Sequence, residues 1–526
     1  MKTFRVVIDC GSLAAPLYLF LVGAAAAQSP SRSEPAPQVA APSSRGGLYT
    51  VPSAQPLQRL EDAFLRWPLL PGAERYSSID GKRLHELVVQ QAAISRKFRD
   101  SGHAQYWGRI IGSSADEESA QWLFNQFRRI GLSDVHIQSL PIPNPVWEPV
   151  EPWSVYARTA ERTLRLGSAQ PSYESPAAPS EGLDLEAVYI GTGSEADFIG
   201  RDVRGKVAVL LSFPMPAATW QTAQADGALR RAETRGAAAL LVILALPGNF
   251  RAQLYPTGGK IPTFYLGMED GYALRDMIGS AHPGQPPRVE IQFQTKRIAG
   301  RQTATVWGSL PGTTDEKIYI MAHRDGWFDA AGDNASGVAT MIGLAEYFAK
   351  VPQASRRRTL VFMGISGHHG PAMSGQDLLA RKDELFRKTA LLINAEHTST
   401  LQTYLYWEAI RPANTYTAQF WYAGGPSRPK LQQIAINAFR QFGVSTYATP
   451  EQGAPLGDLR MLWPFVPAVT TTDFNMYFHT DGETPDKVPW TGLEATTRSF
   501  AKIIDDVNQL DLKDLERPPE AAAERQ

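Results

Sequence analysis

The feature that most constrains the fold is a series of short, uninterrupted apolar segments that alternates with helical patterns after Gln302. The segments read ATVWGSL, KIYIMA (317–322), TLVFMGI (359–365), ALLINA (390–395) and VPAVTTT (466–472). Apolar residues with helical spacing lie at 336–350, 429–442 and 491–509. Apolar runs without alternation indicate strands buried on both faces, which predicts an α/β fold with a mostly parallel central sheet flanked by helices.

Two further helices precede this region. Apolar residues recur at steps of three and four from Leu84 to Phe98, which places them on one helical face. In the second helix, Ser114 and Glu117 have the spacing of a capping box and Gly131 marks the end. Both helices are expected to frame the core.

Between 168 and 288 the pattern changes. RGKVAVLLSF (204–213) predicts a buried strand, ALRRAETRGAAALLVILA (228–245) a helix and a strand joined at Gly236, and GGKIPTFYLG (258–267) a shorter strand. This succession resembles the protease-associated (PA) domain, a small β-rich module inserted in several exopeptidase families. A generic α/β insertion is the alternative. We therefore expect one domain formed by 57–167 and 289–512, interrupted by an insertion at 168–288.

The first residues have the pattern of a secretory signal. Lys2 and Arg5 precede an apolar run from Leu13 to Ala27 that ends in small residues, which predicts a signal peptide over 1–27 and an exported, periplasmic or secreted, protein. An uncleaved anchor is the alternative. The Pro/Ser/Ala-rich stretch 28–56 predicts a flexible linker and 513–526 a similar tail, while no later stretch is apolar enough to span a bilayer.

Composition excludes several classes of function. The single cysteine, Cys10, lies in the predicted signal, so the mature chain has no thiol for a disulfide, a thiolate metal site or a cysteine nucleophile. The 52 basic and 53 acidic side chains nearly cancel, which argues against a nucleic-acid partner.

Histidines and carboxylates cluster behind the predicted strands. Five of the nine histidines fall between positions 323 and 479. They occur in the segments AHRDGWFDAAGDN, SGHHG, NAEHTS and FHTDGE. Because the carboxyl ends of parallel strands meet at one edge of a sheet, these side chains are expected to converge there. Imidazole and carboxylate without thiols form the ligand set of zinc in hydrolytic sites.

The segments AHRDGWFDAAGDNASGV and FHTDGETPDKV, with the strands between them, resemble the M28 family of zinc exopeptidases, with the PA-like insertion in its familiar place. The resemblance spans roughly 103–510. It implies a two-metal site on an α/β sheet and hydrolysis of peptide or small amide substrates near a chain terminus.

Four residues match the family pattern directly. The resemblance makes His323 a ligand of one metal and Asp325 the carboxylate that orients it. Asp333 matches the aspartate that bridges both metals, and His479 matches a ligand of the other.

Three positions depart from that pattern. The family has two consecutive glutamates, a general base and a ligand, where this chain has His368 and His369, and it has an aspartate where Glu396 stands. We expect His368 to handle the proton, with a structural or substrate-contacting role as the alternative. His369 and Glu396 are expected to be ligands, and His397 is the nearest competitor of Glu396.

Two more residues are candidates for substrate binding. Asp458 matches a position where the family often has an acidic residue, with a helix cap as the alternative. Tyr477 is placed to stabilise an oxyanion, with packing as the alternative.

The predicted function is an exported, metal-dependent exopeptidase or amidohydrolase of the aminopeptidase type. It would use metal-activated water and one or two zinc ions, the second weakly held because the expected site has one negative charge fewer than usual. The alternative is a catalytically silent relative that binds without turnover. A serine hydrolase is disfavoured because GISGHHG is not a G-x-S-x-G elbow.

Overall fold

The central sheet matches the succession of apolar segments. The computed structural model describes residues 66–214, 222–406, 409–412, 418–423, 428–448, 455, 457–472 and 475–515. Across the sheet, the strands follow in the order Ser445–Ala448, Ala418–Ala423, Ala468–Thr472, Thr389–Asn394, Lys317–His323, Thr359–Ile365, Gln302–Leu310 and Ser133–Pro141. The middle four are parallel to one another, and an antiparallel pairing joins this group to its neighbour on each side. The predicted α/β class is confirmed.

Helices cover both faces of this sheet. They are Gly81–Asp100, Ser114–Ile130, Gly337–Ala349, Pro429–Gln441 and Trp490–Val507 on one face, and Met373–Ala380 and Lys382–Leu385 on the other. Strand residues such as Ile320 and Ile393 are fully buried under the first group, and Met321 and Leu392 under the second. Burial on both faces explains why the strands lack polar alternation.

The start of the second helix differs from the prediction by one residue. Ser113, not Ser114, is the N-cap, and its hydroxyl accepts a hydrogen bond from the backbone N–H of Asp116. Two adjacent serines offer equivalent caps in the sequence, so the pattern could not separate them. Gly131 ends the helix in the left-handed conformation, as predicted.

A second mixed sheet is built from the middle of the chain. Its strands follow in the order Thr163–Arg165, Val146–Arg158, Arg288–Ile298, Leu183–Tyr189, Val207–Ser212, Ala239–Leu244, Thr263–Leu266 and Gln170–Pro171. The helices of this region are Thr222–Ala225, Ala228–Thr234 and Met268–Gly279. The sheet extends beyond the expected insertion, 168–288, because the antiparallel strands Val146–Arg158 and Arg288–Ile298 pair with each other inside it.

Two short ladders complete the described strands: Gly108–Arg109 with Gly326–Trp327, and Thr403–Tyr406 with Ala409–Pro412. Among the helices of the described ranges, none has both the length and the apolar composition needed to cross a membrane. The predicted signal over 1–27, the linker over 28–56 and the tail beyond 515 lie outside the described residues.

Candidate active site

The polar residues at the carboxyl ends of the parallel strands lie at one edge of the sheet. His323 ends the strand Lys317–His323, His368 and His369 follow Thr359–Ile365, Glu396 and His397 follow Thr389–Asn394, and His479 lies beyond Ala468–Thr472. His323 pairs with Ile365 at the end of the neighbouring strand, which brings two of these segments level. Convergence at the carboxyl edge follows from the parallel strand order.

Asp333 is the centre of the cluster. Its Oδ1 lies 2.9 Å from His323 Nε2 and 3.1 Å from His397 Nε2. Its Oδ2 lies 2.9 Å from His369 Nε2 and 2.8 Å from His479 Nε2. Burial opposes ionisation of Asp333, but the surrounding imidazoles, His369 first among them, hold its pKa well below its usual range. Each carboxylate oxygen therefore serves one pair of histidines.

This arrangement fits the coordination of zinc-type ions. Tetrahedral zinc with Zn–N distances of ~2.0–2.1 Å separates neighbouring ligand atoms by about 3.3 Å, close to the N···O distances at Asp333. Asp333 Oδ1 and His323 Nε2 are buried and face each other at 2.9 Å, but they are not aligned for a hydrogen bond. Burial lowers the pKa of His479 to about 3, so its imidazole is neutral, which is the form that binds metal.

Backbone conformation marks the same region. His397 and His479 have φ angles of 45° and 61°, and Phe328 and Ala330, in the loop between His323 and Asp333, have 58° and 46°. Left-handed backbone in residues other than glycine costs about 1–3 kcal/mol at each position and concentrates at functional sites. At the two histidines, this conformation aims the imidazoles inward.

Glu396 and His397 lie differently from the expectation that Glu396 is the ligand. Glu396 Oε2 accepts a hydrogen bond from Asn394 Nδ2 at 2.6 Å, and Glu396, like His479, belongs to none of the metal-type clusters of the described residues. His397 forms such a cluster with His323 and Asp333. Burial lowers the pKa of His397, but the negative charge of Asp333 has the larger effect and raises this pKa to about 9. A metal ion that binds His397 must therefore displace a proton from its imidazole.

His368 lies beside the centre in a carboxylate environment. Its Nδ1 is 3.1 Å from Asp458 Oδ2 and its Nε2 is 4.0 Å from Glu396 Oε1, while its ring stacks on His323 at 4.1 Å. Burial lowers the pKa of His368, but Asp458 and Glu396 together raise it well above its usual value. Asp458 therefore contacts a predicted catalytic residue, and its own pKa is lowered in return.

Asp325 supports two of the loops. Its Oδ1 accepts a hydrogen bond from Gly367 N at 3.0 Å and its Oδ2 one from His369 N at 2.9 Å. The closest contact of His323 Nδ1 with this residue, at 3.1 Å, is to the backbone carbonyl, whereas the carboxylate is 3.8 Å away. The carbonyl thus fixes the tautomer of His323, and the carboxylate holds the backbone of the double histidine.

Two supporting residues were not assigned from the sequence. Glu483 accepts hydrogen bonds from Asp333 N at 2.7 Å and His479 N at 3.0 Å, and burial raises its pKa to about 8. Asn334 accepts one from His397 N at 3.0 Å. The sequence did indicate both residues, because Asn334 directly follows Asp333 and Glu483 is the glutamate of the segment FHTDGE.

Tyr477 is placed among packing residues. Its ring makes an edge contact with Phe250 at a centroid distance of 5.5 Å, and Lys487 Nζ lies 4.9 Å from the ring centre. Only 6% of the residue is exposed. These contacts favour packing over the substrate role considered for it.

The loop between His323 and Asp333 is held by a fully buried arginine. Arg109 donates to the backbone carbonyls of Arg324 at 2.8 Å, Asp329 at 2.8 Å and Ala330 at 3.1 Å, and to Ser95 Oγ at 2.9 Å. Arg109 is 0% exposed. One side chain therefore satisfies three carbonyls of a loop whose described strand pairing is limited to the short ladder of Gly326–Trp327 with Gly108–Arg109.

Replacing Arg109 by methionine is expected to lower the free energy of unfolding by about 3–5 kcal/mol, because several buried carbonyls lose their donor at about 1–3 kcal/mol each. Urea unfolding followed by tryptophan fluorescence measures the change. Arg297→Met is the control, since Arg297 makes a surface pair with Glu174 and should cost less than about 1 kcal/mol. Equal losses in the two variants would contradict the role given to Arg109.

Comparisons with known proteins agree with this geometry. The profile of Peptidase family M28 matches residues 305–504, the segment that contains Asp333 and the four histidines around it. The chain carries a peptidase family M28 domain. Aminopeptidase YwaD of Bacillus subtilis is 24% identical to this chain over 376 residues, which are 68% of this chain and 72% of that protein.

Solved structures show the same fold around the M28 domain. The peptidase M28 precursor from Shewanella amazonensis SB2B has a TM-score of 0.62 at 17% identity, covering 84% of this chain and 100% of that chain. BSAP, a zinc aminopeptidase from Bacillus subtilis, has a TM-score of 0.58 at 18% identity, covering 81% and 95%. The predicted M28 resemblance and the prediction of a metallopeptidase are confirmed by the family match and these relatives.

Proposed function

We propose that the protein is a zinc-dependent exopeptidase that cleaves terminal peptide or related amide bonds. The observation that carries this proposal is the convergence of four imidazoles on the two oxygens of Asp333 within an M28 domain. Similarity to an aminopeptidase makes the amino-terminal bond the first one to test.

The ligands divide into two sets around the bridging carboxylate. We assign His323, His397 and Asp333 Oδ1 to one ion, and His369, His479 and Asp333 Oδ2 to the other. When bound, zinc supplies the Lewis acidity that activates water and polarises an amide carbonyl.

This ligand set contains a single negative charge. In this assignment Asp333 is the only carboxylate, because we assign His397 rather than Glu396 as a ligand. Neutral imidazoles compensate the repulsion between two dications less than carboxylates do. We therefore propose that one ion is held tightly and the other weakly.

His368 is the proposed proton-transfer residue. The neighbouring carboxylates of Asp458 and Glu396 favour its protonated form, which can donate to the leaving nitrogen when the amide bond breaks. Without this proton, the leaving nitrogen would depart as an unstable anion instead of a free amine. Asp458 orients the ring through Nδ1 and leaves Nε2 for this transfer.

We also propose that the protein is exported, on the basis of the signal-like segment 1–27. Expression in a bacterium that has a periplasm, followed by fractionation and N-terminal sequencing, tests this proposal. A mature chain that begins near residue 28 supports export. An intact chain in the cytoplasm refutes it.

The activity is tested with the purified mature chain on a panel of aminoacyl chromogenic amides and short peptides. Peptides with a blocked amino end, a blocked carboxyl end or both identify which terminus is recognised. Turnover should disappear with a chelator and return with zinc. Elemental analysis should give one to two zinc ions per chain, and a chain that holds no metal would refute the proposal.

His368→Ala is expected to reduce kcat by about 10²–10⁴-fold, the usual contribution of a proton-transfer group, with metal content unchanged. Steady-state kinetics and elemental analysis measure both quantities. His136→Ala is the control, because His136 is exposed on the edge strand Ser133–Pro141. Full activity in the His368 variant would show that this side chain is not the proton donor.

The rival proposal is an M28 relative that binds but does not turn over. Its support is the presence of His368 and His369 where the family resemblance implies two glutamates. Metal bound without turnover on any member of the panel would favour this rival.

A further inference from the structure

The second sheet contributes a segment to the metal centre. Residues 251–255, here called the strap, lie between the strands Ala239–Leu244 and Thr263–Leu266. Gln253 N donates to the backbone carbonyl of His479 at 3.0 Å. Ala252 forms an isolated antiparallel bridge with Thr480. The strap is therefore hydrogen-bonded to the loop that carries one of the proposed ligands.

A second contact fixes the start of the strap. Arg251 N donates to Asp481 Oδ1 at 3.1 Å, and Asp481 N donates to the carbonyl of Arg251 at 3.1 Å. Reciprocal bonds of this kind hold two backbone segments in a fixed register. The position of the strap's last residue, Tyr255, is thereby set relative to the metal centre.

The ring of Tyr255 lies against the proposed ligands. It makes an edge contact with His479 at a centroid distance of 5.3 Å and lies parallel to His369 at 6.3 Å. Trp327 packs against it at 5.5 Å. The ring thus forms a wall over the pair of histidines that share Asp333 Oδ2.

The hydroxyl of Tyr255 is available. This hydroxyl makes no hydrogen bond to any residue that the structure describes. Tyr255 remains partly accessible, whereas the neighbouring Trp327 is only 3% exposed. Burial, and after it the charges of Asp333 and Glu396, raise the pKa of the Tyr255 phenol well above its usual value. A phenol with an ordinary pKa near 10 is protonated at neutral pH and is a hydrogen-bond donor.

We propose that Tyr255, a residue of the second sheet's region, is a catalytic residue whose hydroxyl donates a hydrogen bond to the carbonyl oxygen of the scissile amide at the Asp333 centre. The bond strengthens as negative charge develops on that oxygen, and the proton stays on the tyrosine. This role rests on the proposed exopeptidase function. This role of Tyr255 would give the region of the second sheet a direct part in catalysis.

Tyr255→Phe removes the hydroxyl and keeps the ring that packs on Trp327. We expect kcat to fall by about 10²-fold, as for the loss of one oxyanion donor, with KM changed by less than about 3-fold and zinc content unchanged. Tyr272→Phe is the matched control, because Tyr272 belongs to the helix Met268–Gly279 of the same region and packs on Arg275.

A second measurement does not depend on turnover. A phosphinic dipeptide, whose tetrahedral phosphorus group mimics the charged oxygen, should bind Tyr255→Phe about 10²-fold more weakly than wild type in calorimetry, while the free amino acid product binds both equally. Unchanged binding of the phosphinic dipeptide would overturn the proposal. So would a loss of zinc or a large drop in melting temperature, since either would make Tyr255 structural.

The outcomes separate this proposal from the function on which it rests. If wild type cleaves the panel and Tyr255→Phe behaves like Tyr272→Phe, the exopeptidase proposal stands and the role of Tyr255 falls. If wild type cleaves nothing and fails to bind the phosphinic dipeptide, both fall.

Discussion

Asp333→Asn is expected to lose both metal ions and all metal-dependent hydrolysis. Each carboxylate oxygen lies within 3.1 Å of two imidazole nitrogens, so one substitution removes the negative charge that the two proposed ion sites would share. Loss of a supporting residue outside a metal site typically costs 10–100-fold in affinity, and a shared ligand should cost more than about 100-fold. Elemental analysis after dialysis measures the loss directly.

A stability measurement provides a second readout. Metal that binds only the folded chain raises the melting temperature, so a chelator should lower it in wild type and leave Asp333→Asn unchanged. Asp276→Asn, an exposed position paired with Arg275, is the control and should respond like wild type. Retention of two ions by the Asp333 variant would rule out the bridging assignment.

His397→Gln is expected to release one ion and keep the other, whereas Glu396→Gln should keep both. His397 Nε2 lies 3.1 Å from Asp333 Oδ1, while Glu396 is engaged with Asn394. The two variants differ by one position and receive the same replacement, so they form a matched pair. Zinc titration by calorimetry counts the sites and their affinities.

The reverse result would restore the ligand order that the family resemblance implies. One ion lost with Glu396→Gln and none with His397→Gln would mean that Glu396, not His397, holds metal. Loss of both ions in the His397 variant would mean that the two sites do not bind independently.

The sequence predicted the edge of the sheet at which the site lies. Apolar strands buried on both faces imply parallel neighbours, and parallel neighbours place His323 and the double histidine side by side. His323, Asp333, His369 and His479 meet as expected. The convergence of these four side chains depends on the parallel strands, which the pattern of apolar residues in the sequence indicates.

The choice between Glu396 and His397 depends on a detail that periodicity does not reveal. The strand stops at Asn394, and His397 then adopts a φ of 45°. This turn decides which of two adjacent side chains faces the centre. Histidine is enriched in left-handed backbone, but such residues are too uncommon for the residue type alone to identify the position. Motif matching to a family that has an aspartate at this position favours Glu396, because a glutamate is the nearer chemical analogue.

Long-range contacts were also beyond the sequence. Arg109 is buried because four backbone carbonyl groups accept its hydrogen bonds, one in the helix Gly81–Asp100 and three in the loop between His323 and Asp333. No local sequence pattern predicts this for an arginine. Tyr255 reaches the centre only through the pairing of the strap with the loop of His479. The extent of the second sheet depended likewise on the pairing of two distant strands.

The hydrogen bonds between the strap and the loop of His479 have a consequence for the evolution of such proteins. They join Gln253 to His479 and Arg251 to Asp481. A module joined only by its two chain connections can be exchanged or deleted without harm to its host. Here a third attachment ends at a proposed metal ligand, so the region of the second sheet and the loop around His479 must vary together. Chimeras between relatives should therefore exchange both segments as one unit.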